Sequence, residues 1–150
     1  MELHEKFKKV YNNYCKERMI EMGEAPFASI ITTFPSLLIA MADGKADNNE
    51  KLSLVNISKS LAESFKDEQT NDELIELLSY QYYAEFDYLL KNTEKWESAF
   101  IELLSDYLKE NPENKTIIND MIIDVANASN DICDAEQQVV SELENKLNLK

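Results

Sequence analysis

From Ala25 to Ala42 the chain runs eighteen residues without a charge, in a sequence where 29% of residues are charged. A stretch this apolar has two stable homes, the hydrocarbon of a bilayer or the centre of a protein. Eighteen residues touches the lower limit for a membrane span. The segment, however, holds Pro26, Pro35, Ser29, Thr32, Thr33 and Ser36, and acids flank it (Glu21, Glu24, Asp43, Asp47) with no basic cluster on either side. The expectation is a buried central helix, bent at Pro35 where a backbone donor is missing, and no membrane insertion.

A central helix needs other elements to cover it, and the flanking sequence supplies them at helical spacing. Leu3, Phe7, Val10, Tyr14 and Met19 mark a first amphipathic helix running to about Met22, just before Gly23. Leu54, Ile57, Leu61 and Phe65 form a stripe on a third helix. Thr70 with Glu73 has capping-box spacing and opens a fourth, with Leu74, Leu78, Tyr82, Phe86 and Leu89 inward. Thr93 caps a fifth, carrying Trp96, Phe100, Leu103 or Leu104, and Tyr107. Asn111-Pro112 starts a sixth with Ile118, Met121, Ile122 and Val125, and a last helix from about Asp134 presents Val139, Val140, Leu143 and Leu147. Two glycines and three prolines in 150 residues leave little for a turn-rich β-sandwich, and no linker-like tract divides the chain. The predicted fold is all-α: one domain, a bundle of about seven helices.

Charge narrows the function. Fifteen basic against twenty-nine acidic residues give a net charge of −14, which repels a phosphate backbone or an anionic membrane, so direct nucleic-acid binding is not expected. Cys15 and Cys133 match no paired-ligand spacing and read as free thiols in a reducing compartment. With a charged amino terminus, they make the cytoplasm the expected location. One histidine, His4, cannot assemble a Ser/His/Asp or Cys/His grouping, and two glycines cannot build a phosphate-cradling loop, so no enzyme is expected. Tyr80, Tyr82, Tyr83 and Tyr88, with Phe86 and Trp96, read mainly as core, but Tyr80 and Tyr83 fall off the inward stripe and leave a partner surface open.

Two stretches resemble one another near the two ends of the chain: Ala42-Asp43-Gly44-Lys45-Ala46-Asp47-Asn48-Asn49-Glu50, and Ala128-Ser129-Asn130-Asp131-Ile132-Cys133-Asp134-Ala135-Glu136. In each, an apolar helix runs into a small residue, an acidic loop follows, and a glutamate opens the next helix. Carboxylate oxygens are the ligands that hard divalent cations prefer. A standard EF-hand is excluded, because a loop ending at Glu50 would place Ile39 and Met41 at its first and third ligand positions. Asp47 with Glu50, and Asp134 with Gln137, also have capping-box spacing, and the capping and cation-binding roles are compatible.

The string Ala40-Met41-Ala42-Asp43-Gly44, with Ala46 and Glu50, resembles the signature of the tellurite-resistance TerB-like family. Ala126, Ala128, Ile132 and Glu136 resemble the second copy that family carries near its carboxyl end, with Ser129 and Asn130 in place of Asp-Gly. The resemblance implies an all-helical, cytoplasmic bacterial protein associated with tellurite or general stress resistance. It also implies a divalent cation at the repeated acidic loops. Asp43 and Glu50 carry over from the first copy and Glu136 from the second; Asp47, Asp131 and Asp134 are acids of the right chemistry beside them. The expected function is therefore a non-enzymatic module that binds a partner protein and a divalent cation. The alternative is an acidic decoy that mimics nucleic acid or occupies a basic partner surface.

Overall fold

The computed structural model describes residues 2–42, 48–63, 72–128 and 134–149, with the side chains at 49, 50, 72, 125–128 and 134–136 excepted. These residues form seven α-helices: α1 (Leu3–Arg18), α2 (Glu24–Ala40), α3 (Asn48–Glu63), α4 (Asp72–Lys91), α5 (Thr93–Glu110), α6 (Lys115–Ala128) and α7 (Asp134–Lys146). One 3-10 turn, Pro112–Asn114, precedes α6, and there is no strand among the described residues. The all-α bundle expected from the hydrophobic periodicity is what the chain forms.

α2 is the axis. It packs against α3, α4, α5, α6 and α7, and α1 reaches it through aromatic rings. The five consecutive residues Thr33, Phe34, Pro35, Ser36 and Leu37 are all buried, and at 100° per residue they cover more than a full turn. Over that turn α2 is enclosed on every side and leaves no room for a charge, whereas its one charged residue, Glu24, sits in the exposed first turn. Phe27, Ile30, Ile31, Phe34, Leu37 and Ile39 each gain about 1.5–3 kcal/mol from this burial, an upper figure because an unfolded chain already hides some surface. The helix continues through Pro35, and Pro26 sits in its first turn, where the missing N–H has no intrahelical role.

α1 lies on α5 and α2. Phe7, Tyr11 and Tyr14 place their rings against Phe27 at centroid separations of 5.6, 5.4 and 5.3 Å. Phe100 of α5 stands edge-on to Phe34 at 5.1 Å and to Phe27 at 5.7 Å, so rings from three helices interlock at tilted or T-shaped angles.

Several boundaries differ from the sequence expectation. α1 ends at Arg18, four residues short of Met22. Met19 adopts the left-handed conformation (φ 57°, ψ 45°), and the Ile20 and Met19 amides donate to Cys15 O and Lys16 O in a Schellman closure. Met19 is therefore turned out to solvent, 91% exposed, and Met22 enters the core in its place while its carbonyl accepts the Tyr11 hydroxyl. Asn111 does not cap α6. Its side-chain amide donates backward to Tyr107 O at 3.1 Å, as that of Asn92 does to Tyr88 O at 2.8 Å, so each asparagine closes the helix before it. Pro112 accordingly opens the 3-10 turn, and α6 begins only at Lys115. Thr93 is the first residue of α5 rather than its cap, and the Thr70 to Glu73 capping box falls partly outside the described residues. Leu74 and Tyr107, expected to face inward, are exposed.

Candidate functional site

All six sequence-predicted cation ligands lie outside the described side chains. Asp43 and Asp47 fall between α2 and α3 and Asp131 between α6 and α7; Glu50, Asp134 and Glu136 sit in the first turns of α3 and α7. The helices themselves add one fact. Glu50 is the third residue of α3 and Glu136 the third of α7, so the two stretches meet their helices in the same register. The units they join also pack together, α2 on α6 and α7, and α3 on α6. An all-oxygen donor set of this kind suits a hard cation such as calcium or magnesium. Among the described residues no group of three or more metal-ligating side chains occurs.

Among the described residues, the most elaborate polar arrangement is one the sequence reading missed. Glu85 is only 2% exposed. Its Oε1 accepts from the Tyr14 hydroxyl at 2.6 Å and from Arg18 Nε at 2.7 Å, and its Oε2 accepts from Arg18 Nη2 at 3.0 Å. The guanidinium lies 4.3 Å from the centroid of Tyr88, whose hydroxyl accepts from Trp96 Nε1 at 3.0 Å. The cluster therefore ties α1, α4 and α5 together through a fork of charge-assisted bonds and a cation–π stack. Burial, and then the adjacent carboxylate, push the Tyr14 phenol far above its ordinary range. Burial, and then the same carboxylate, also push up the neighbouring Cys15 thiol, the opposite direction from the lowering that activates a cysteine. A signal was present in the sequence, since Glu85 is three residues after Tyr82 and four before Leu89, on the inward stripe. An acid there requires a buried partner.

Two buried hydroxyls, those of Ser36 and Tyr82, have no hydrogen-bond partner among the described residues. Burial pushes the Tyr82 phenol up to about 12, with the Ser29 hydroxyl easing part of that shift from outside hydrogen-bonding geometry. A shallow groove of about 400 Å³ runs between α1, α2 and α5, walled by Leu3, Phe7, Ile31 and Leu103. Its Thr32 hydroxyl donates to Ser29 O and its Ser29 hydroxyl to Ala25 O, so both are already turned back onto α2.

The outer face of α4 is different. Leu74, Leu77 and Tyr80 are 47%, 61% and 64% exposed, and Leu77 and Tyr80 lie opposite the buried Tyr82, Phe86 and Leu89 stripe. Glu73 shares that arc, and Glu76 accepts the Tyr80 hydroxyl at 2.9 Å. Of the aromatic group read as mainly core, Tyr82, Phe86 and Trp96 are buried, Tyr83 and Tyr88 half-buried, and Tyr80 exposed, while His4 is exposed on α1.

No protein-family model, curated protein or solved structure matches the chain. Among the described residues no helix is long and apolar enough to cross a membrane.

Proposed function

We propose that the chain is a non-enzymatic helical interaction module of the TerB-like kind, which binds a partner protein and takes a divalent cation at the Asp43–Glu50 and Asp131–Glu136 stretches. The family reading rests on the sequence motif, and carries with it a bacterial cytoplasmic, stress-resistance setting. The observation that supports partner binding is the outer face of α4. Leu74, Leu77 and Tyr80 recur every third residue and sweep an arc of about 120° on one helix. Single exposed leucines are ordinary, but a row of large apolar groups opposite a well-filled core face is how a helix is built to be covered a second time. Tyr80 adds an amphipathic ring of the kind enriched at interfaces.

Affinity capture with the whole chain as bait tests this reading. A stoichiometric partner held by the wild type and lost from Leu77→Asp, with thermal stability preserved, is the expected result. Identical captured proteins from both baits would remove the α4 face from consideration.

A further inference from the structure

The charge around the α4 ridge identifies what fits it. We infer that Leu74, Leu77 and Tyr80 receive a basic amphipathic helix, with apolar anchors at i, i+3 or i+4 seated on the ridge and Lys or Arg side chains flanking them. This rests on the reading of the chain as a partner-binding module and names the partner's chemistry. α4 carries Asp72, Glu73, Glu76, Glu85 and Asp87, and no basic residue before its last position, Lys91. Glu85 is consumed in the core by Arg18 and Tyr14. Glu73 is exposed within the arc of the apolar row and Glu76 is exposed along its Tyr80 edge. An apolar stripe carrying carboxylates in this way is complementary to a helix of the opposite charge pattern. A second copy of this chain fits poorly, because α4 laid on α4 brings acid to acid between two bodies of charge −14 each. The same sign disfavours an anionic bilayer.

The test is a titration of the full chain into a fluorescently labelled eighteen-residue amphipathic peptide of leucine and lysine. The controls are a scrambled peptide of the same composition and a peptide with glutamate in place of lysine. The amphipathic basic helix should bind at least about tenfold tighter than its scramble, and Leu77→Asp and Tyr80→Ala should each weaken it by about tenfold. Both positions are exposed, so unchanged circular dichroism and melting temperature will show that the variants fold.

The aspartate variant is decisive because it makes the surface more negative. General attraction to an acidic protein would strengthen with it, whereas docking on the ridge weakens. Equal binding of the scramble, or unchanged or tighter binding by Leu77→Asp, overturns the inference. If the glutamate peptide binds better and Leu77→Asp abolishes it, the ridge is a protein-binding face and the basic class is wrong. Peptide-free self-association lost in Leu77→Asp makes a second copy the occupant and also overturns the basic helix. If no peptide and no self-association responds to Leu77→Asp, the basic-helix inference falls, and the capture experiment with the Leu77→Asp bait decides the module reading separately.

Discussion

Glu85 shows how much one buried residue can organise. A carboxylate at 3% side-chain exposure is tolerable only because Arg18 and Tyr14 saturate it, and Arg18, with a quarter of its side chain in solvent, is the more replaceable partner. Arg18→Met should cost about 3 kcal/mol, since it leaves a buried anion held by one phenol. Glu85→Gln should cost a comparable amount by leaving the guanidinium facing a neutral amide. The double variant removes both charges and should fall short of the sum by more than about 1 kcal/mol. Urea unfolding of the four proteins measures this, and strict additivity would show that the pair is not coupled. Sequence reading placed Tyr14 in the core but did not find this network, for a physical reason: the partners stand 67 and 71 residues apart, and no local spacing links them.

Whole elements were easier to read than their ends. The central helix follows from its uncharged apolar run, and the inward stripe Tyr82, Phe86 and Leu89 and the pair Trp96 and Phe100 follow from periodicity, because one-sided burial imposes a 3.6-residue rhythm that sequence preserves. Helix ends depend on single hydrogen bonds that periodicity does not see. Asn111 could serve the helix on either side and serves the earlier one. The end of α1 is harder still to anticipate, because a methionine holds a position that favours glycine. α7 closes in the same way, with Leu149 N donating to Glu144 O, but there the left-handed residue is Asn148, which tolerates that region. Met19 contributes almost no burial in exchange for its strained backbone. Met19→Gly should therefore stabilise the protein by about 0.5–1 kcal/mol, with the glycine's extra freedom in the unfolded chain limiting the gain. Chemical denaturation checks it; a loss of stability would mean that the Met19 side chain is held by something other than solvent.

At the scale of the whole molecule, the net charge of −14 complicates any search for a specific cation. Self-repulsion destabilises the compact state, so any salt that screens it raises the melting temperature whether or not a site exists. The repeated acidic stretches were legible as a motif because they recur near both ends of the chain. Their chemistry was not, because carboxylates that cap helices and carboxylates that bind calcium have the same spacing. α3 begins two residues before Glu50, which suits both roles in the first stretch, whereas α7 begins at Asp134 itself, so that residue is the first of its helix rather than the cap its spacing with Gln137 suggests. The experiment must therefore compare calcium, magnesium, manganese and zinc with sodium chloride at matched ionic strength, on chelator-stripped protein. A cation with a Kd near 10 μM, supplied at 1 mM, adds about 2.7 kcal/mol, or roughly 5–10 °C in a chain of this length, beyond what sodium gives. Asp43→Asn with Glu50→Gln should abolish that excess. Asp134→Asn with Glu136→Gln should reduce it only in part if the copy without Asp-Gly is the weaker. Melting curves that track ionic strength alone for every cation would assign these acids to helix capping and surface charge, and leave the partner face proposed on α4 as the part of the functional reading still to be tested.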